Sequence, residues 1–169
     1  NQRVSDAAAA TPDYAGMGTT IVAILVRHKI LSVAHAGDSR LYMLANNELR
    51  RMTEDDSWAA TVLARDPHFD PATLQQHPMR NALTNVVGTR PQTVVHLSEH
   101  ALNGDERFLL TTDGIHGVLD DARLARLIER EEDAQRVAAA MVETALDSGS
   151  RDNCTAVVAD YVDAEPSAG

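Results

Sequence analysis

Three aspartates stand where an apolar stretch meets a turn, each beside Gly, Ser or Asn: Asp38 in HAGDSR, Asp113 in LLTTDG and Asp152 in SRDNCTAVV. An apolar strand does not need a carboxylate at its tip for packing. Such an acid either caps a turn through its own backbone or ligates a cation. Three of them converging would offer oxygen donors of the kind Mg²⁺ or Mn²⁺ prefer. Two such ions a few ångströms apart neutralise a phosphoryl group and lower the pKa of a water between them. No CxxC or HExxH pattern accompanies the acids, which argues against zinc. No G-x-S-x-G or cysteine-nucleophile signature calls for a covalent mechanism, so no side chain is assigned as nucleophile. His116, three residues after Asp113, either orders water on an ion or packs its loop. Arg40 and Arg151 each lie within two residues of a candidate acid, and either pair with it or meet a substrate phosphate.

Charge narrows the partners. The net charge is −10 over 169 residues, which argues against nucleic acid and anionic membrane surfaces. An acidic protein that handles phosphate needs metal ions to offset the repulsion. Hydrophobic residues make up 44% and charged residues 24%, the balance of one globular domain with a real core. The single Cys154 excludes an internal disulfide framework, suits a reducing, cytoplasmic setting, and reads as a small buried hydrophobe inside an apolar run. No apolar run reaches membrane-spanning length. The sequence opens on Asn1 rather than Met, which reads as a processed product or a fragment.

The elements that must position these acids follow from periodicity. Ala7–Ala10 favours a helix that Thr11-Pro12-Asp13 ends. Thr19–Arg27 is β-branched and strongly apolar and predicts a central strand; His28-Lys29 turns it into Ile30–Ala36. Leu41–Leu44 and Glu48–Met52 flank Asn46-Asn47 as a hairpin. Sequential strands on short turns predict an antiparallel sheet. Asp56 or Ser57 caps a helix to about Ala64, Asp70-Pro71 starts another, and Met79–Val87 predicts a third short helical piece. This insert reads as a surface flap or as a simple cap on the sheet. Thr93–Leu97 and Phe108–Thr112 read as strands, Asp120 and Asp133 cap two amphipathic helices, and Cys154–Val162 is the last strand. Residues 163–169 read as a polar tail or the start of a linker.

The order of motifs carries a resemblance. GMGTT (Gly16–Thr20), GDSR (Gly37–Arg40), the insert from Asp55 to Thr84, LLTTDG (Leu109–Gly114) and RDNCTAVV (Arg151–Val158) occur in the order and at the spacing of bacterial metal-dependent protein Ser/Thr phosphatases of the PPM, or type 2C, family. The resemblance runs from about Gly16 to Val162. It implies an α+β fold, an α-β-β-α sandwich of antiparallel sheets flanked by helices, over residues 1–162. It also implies hydrolysis of phosphoserine and phosphothreonine by a hydroxide bridging two Mn²⁺ or Mg²⁺ ions. Asp113 and Asp152 match acids that hold the second of those metals, and Asp38 matches the acid of a third, weaker one. Asn153 follows its acid as in the family and orients it, and Gly114 and Ser39 stand beside theirs in the same supporting capacity. The insert from about Asp56 to Thr84 matches the flap that borders substrate. Expected partners are phosphoproteins, the substrates of a Ser/Thr kinase. The family's earlier motifs, an Arg with an acidic pair and a DGMGG loop, have no match before Gly16. The expectation is therefore an incomplete piece whose sandwich a missing segment or a second chain completes. The alternative is a phosphatase-like binding module without catalysis.

Overall fold

The computed structural model describes residues 1–66, 68–75, 77–129 and 133–163. The alanine-rich opening forms helix α1 (Gln2–Ala10), closed by Thr11 and a 3-10 turn at Pro12–Tyr14. Strands β1 (Ile21–Arg27) and β2 (Ile30–Ala36) join through His28 and Lys29, at φ of 49° and 61°. Asn46 and Asn47, at 51° and 61°, join β3 (Arg40–Ala45) to β4 (Glu48–Arg51). Both turns use the left-handed pair that matches strand twist in a two-residue hairpin. Then come α2 (Trp58–Arg65), α3 (Pro71–Gln75), β5 (His96–Ala101), β6 (Asp105–Thr111), α4 (Asp113–His116), α5 (Asp121–Ile128), α6 (Ala134–Asp147) and β7 (Ala156–Val162). The class is α+β, as expected.

The strands form two sheets, in the orders β1-β2-β5 and β4-β3-β6-β7. The expected single run of sequential strands is therefore divided: β1 and β2 belong to one sheet, β3 and β4 to the other. Hairpin turns dictate pairing within each couple, but Gly37–Ser39 leads from β2 into a strand of the second sheet. Strand β1 is at an edge rather than central, and Ile21 and Leu25 are 52% and 57% exposed. An apolar run reports which residues avoid water, not how many ladder partners the strand has. The stretch expected as helix over 79–87 is turn and loop instead, with Ala82 N bonded to Met79 O at 2.9 Å. Leu83 bridges Ser57 and Val87 bridges Thr19, with Val87 and Thr19 exchanging both main-chain bonds at 2.9 and 3.0 Å. β5 starts three residues later than the apolar Thr93–Leu97 suggests and takes in the polar Ser98, Glu99 and His100.

The chain forms two compact units. The first comprises Asn1–Ala23, Ala34–Ser39 and Glu54–Leu97. There the Asn1 side chain accepts from Gly88 N (2.6 Å) and Thr93 Oγ1 (2.8 Å) and donates to Arg90 O (2.9 Å), which pins the start of α1. Ser57, not Asp56, caps α2, its Oγ accepting from Ala60 N at 3.2 Å.

The second unit comprises Ile24–Val33, Arg40–Thr53 and Ser98–Gly169. Its core joins Tyr42 and Leu109 of the sheet to Ile115, Leu124, Leu127, Ile128, Val137, Met141 and Ala145 of the helices and to Leu119 between α4 and α5. Asp120 and Asp133 cap α5 and α6 as expected, accepting from Arg123 N at 2.7 Å and Arg136 N at 3.0 Å. Asp163 continues from β7, its N–H bonded to Gly104 O at 2.9 Å and its carboxylate to Lys29, so the expected tail begins only after it. Residues 164–169 lie outside the described residues. Leu124 is fully buried in this core. Leu124→Ala should cost about 2–5 kcal/mol of stability through lost burial and an unfilled cavity. Urea unfolding checks it, and a loss below about 1 kcal/mol would contradict the packing described.

Candidate metal centre

In the second unit, β6 and β7 pair antiparallel from Asp105↔Val162 to Thr111↔Ala156. The chain therefore leaves β6 and enters β7 at the same end of the sheet. Asp113 lies two residues beyond that end of β6, and Asp152 lies four before β7 begins. The residue after each acid brings the two segments together. A Cβ on Gly114 would stand 2.5 Å from Asn153 O and 3.2 Å from Cys154 Sγ, so only glycine allows this approach. Thr112 Oγ1 donates to Asn153 O (3.1 Å) and accepts from Thr155 N (3.0 Å), and Ser150 Oγ donates to Gly114 O (2.7 Å).

Each acid is exposed and oriented by the amide that follows it. Asp113 Oδ1 accepts from Gly114 N at 3.0 Å, and Asp152 Oδ1 from Asn153 N at 2.7 Å. Gly114 and Asn153 meet these acids through their main chains. Asp113 stands on the first turn of α4 rather than in an open loop. Cys154 is half-buried, precedes β7 rather than opening it, and donates its thiol proton to Gly114 O at 3.2 Å. His116 is the last residue of α4, with Nδ1 2.9 Å from Thr111 Oγ1. Arg40 Nη1 donates to Tyr42 OH at 3.1 Å. Arg151 is exposed and pairs with no carboxylate among the described residues.

The donor set fits a hard cation. Two carboxylates, with the Cys154 thiol turned to Gly114 O and His116 Nδ1 to Thr111 Oγ1, are the kind of donors Mg²⁺ or Mn²⁺ takes from a protein when water and phosphate complete the shell. Among the described residues no group of three or more His, Cys, Asp or Glu gathers for a metal. Asp38 belongs to the first unit, half-buried between Gly37 and Ser39, whose Oγ lies 2.8 Å from Thr20 Oγ1. A separate open cavity of about 440 Å³ lies at the opposite end of the β6–β7 ladder, lined by Asn46, Asp105, Arg107, Glu129 and Asp160. It is far along the strands from the acids and adds nothing to their chemistry.

The model of the family described as Protein phosphatase 2C matches residues 2–61 and 68–154. This chain belongs to the protein phosphatase 2C family. It is 35% identical over 152 residues to the serine/threonine protein phosphatase PstP of Mycobacterium tuberculosis, covering 90% of this chain and 29% of that protein. It is 27% identical over 146 residues to the serine/threonine phosphatase stp of Listeria monocytogenes, covering 86% of this chain and 58% of the relative. The chain thus spans well under two thirds of these relatives' length. Among solved structures, M. tuberculosis PstP superposes with a TM-score of 0.85 at 31% identity, over 95% of this chain and 67% of the other. A PstP catalytic domain in complex with two manganese ions matches with a TM-score of 0.81 at 29% identity, over 95% and 66%.

Within this 2C-family chain, the residue that sequence reading undervalued is Asp56. Read as a possible helix cap, it instead sits 15% exposed and accepts from three donors. These are Gly37 N (2.8 Å), Asn85 Nδ2 (2.6 Å) and His96 Nε2 (2.8 Å). The signal available was the run Asp55-Asp56-Ser57, in which one serine already suffices as a cap. Burial pushes the Asp56 carboxyl up, but the Gly37 amide, Asn85 and His96 outweigh it and hold the group below its ordinary 3.8. A carboxyl depressed on folding contributes stability in full above that ordinary value and loses it as pH falls through the folded value. The stability gap between the protein and its Asp56→Asn variant should therefore hold from neutrality to about pH 5 and shrink below about pH 4. Urea midpoints against pH check this, and a constant gap down to about pH 2 would contradict it.

Proposed function

We propose that the protein hydrolyses phosphoserine and phosphothreonine in other proteins, with Mn²⁺ or Mg²⁺ seated on Asp113 and Asp152. The observation that carries the reading is the Gly114–Asn153 contact, which sets the two acids on adjoining turns. Such cations neutralise phosphoryl charge and activate water for attack on phosphorus. The chain's own residues do the positioning. The amides of Gly114 and Asn153 fix one oxygen of each exposed carboxylate. Ser150, Thr112 and Cys154 lock the loop that carries Asp152 onto α4. Arg151, exposed beside Asp152, presents a guanidinium to the phosphate oxygens of the substrate.

Asp38 takes a further, weaker cation, and the insert from about Asp56 to Thr84 borders the substrate, as both do in the family this chain resembles. Phosphoproteins made by a Ser/Thr kinase are the substrates, and the cytoplasm is the setting. No helix among the described residues is long and apolar enough to cross a membrane. Exposed apolar side chains on two edge strands, Ile21 and Leu25 of β1 and Val157 of β7, support a further segment or a second chain that covers them.

Asp113→Asn and Asp152→Asn in the full-length protein should each lower Mn²⁺-dependent hydrolysis of a phosphothreonine peptide by several orders of magnitude, because each removes a carboxylate from the cation. Phosphate release with EDTA as the control measures it. Near-wild-type turnover in either variant would overturn the assignment.

A further inference from the structure

Asp56 makes more contacts than stability alone calls for. Its two oxygens accept from Gly37, Asn85 and His96, and its own main chain is engaged as well. Asp56 N donates to Gly37 O at 3.0 Å, so one residue grips both the N–H and the C=O of Gly37. Gly37 cannot give way elsewhere: its φ is +105°, and a Cβ there would lie 2.3 Å from Thr20 Cγ2. On the other side of Asp38, Ser39 is tied to Thr20. The carboxylate of Asp38 is thus carried by a backbone fixed at both neighbours, one of them through Asp56.

The same residue reaches the segment that follows the insert. Asn85, which donates to Asp56, also accepts from Val94 N (3.1 Å) and donates to Val94 O (2.8 Å). Thr84 N donates to Asp56 O at 2.8 Å. A carboxylate can only accept, so His96 Nε2 carries the proton of its bond. The His96 ring stacks on His35, with centroids 4.7 Å apart, and His35 Nε2 meets Glu54 O at 3.0 Å. All of these groups lie within the first unit.

We propose that Asp56 is a positioning residue for Asp38: it sets the Gly37–Asp38 turn and ties that turn to the 84–96 segment that follows the insert. This rests on the reading that Asp38 binds a cation. Movement of that segment then reaches the cation at Asp38 through one carboxylate.

The test is Mn²⁺ binding to the protein, followed by the electron paramagnetic resonance of the free ion, in single and double variants. Asp38→Asn should weaken one binding step. Asp56→Ala should weaken that same step about 10-fold, the scale of a lost supporting bond, and leave the tighter steps unchanged. On an Asp38→Asn background, Asp56→Ala should add nothing. Asp56→Asn should recover most of the affinity, because its oxygen accepts from Gly37 and Asn85 while its amide donates to a His96 ring reprotonated on Nδ1. An Asp56→Ala protein that binds normally while Asp38→Asn does not would overturn the positioning role alone. Effects that multiply, or that fall on every step, would overturn it in favour of a general structural role. A silent Asp38→Asn would overturn the cation reading of Asp38, and the proposal with it. Where Asp56→Ala does not fold, Asn85→Ala should give a smaller loss in the same step, and silence there would overturn the proposal.

Discussion

At Gly114 a side chain would have to occupy the space of the Asn153 carbonyl, 2.5 Å from where its Cβ would stand. Much of the candidate centre follows from that constraint. Because the two backbones touch there, the residues on either side of the contact, Asp113 and Asp152, occupy adjoining turns. Because β6 and β7 are antiparallel with Thr111 opposite Ala156, the strands deliver those turns to one end of the sheet. The core of α5 and α6 against Tyr42 and Leu109 keeps the sheet from shifting beneath them.

Charge explains why such a site calls for cations. The protein carries ten net negative charges, and two exposed carboxylates on adjoining turns repel each other and any phosphate. A divalent ion held there would reverse that local field, and Arg151, exposed beside Asp152, carries a positive charge. Asp56 is the opposite case, a carboxylate whose charge is satisfied internally by an amide, a side-chain amide and an imidazole. The two environments differ: Asp113 and Asp152 are exposed to solvent, and Asp56 is enclosed by donors that tie it to the Gly37 turn.

Much of this was legible in the sequence, for local reasons. Asp120 and Asp133 announce helix starts because a capping acid acts within three residues, and Asn46-Asn47 announces a hairpin because asparagine tolerates positive φ. Asp113 and Asp152 stood out because acids at strand tips are otherwise unexplained. What stayed hidden was non-local. The edge position of β1 depends on which strands pair with it, and its apolar composition gives no sign of that. Residues 79–87 are turn and loop rather than helix, and Leu83 and Val87 bridge Ser57 and Thr19, partners far away in sequence. The part played by Asp56 depends on Gly37, Asn85 and His96, three donors from three separate stretches.

The most direct measurement of the central claim is a Mn²⁺ titration of the ¹⁵N-labelled protein followed amide by amide, since the paramagnetic ion broadens nearby signals. The account predicts that Gly114 and Asn153 broaden together at the lowest additions, with Arg151 and Asp152 beside them, while amides at the Asn46-Asn47 turn stay sharp. Broadening that spares Gly114 and Asn153, or reaches only one of them, would contradict a cation shared between Asp113 and Asp152.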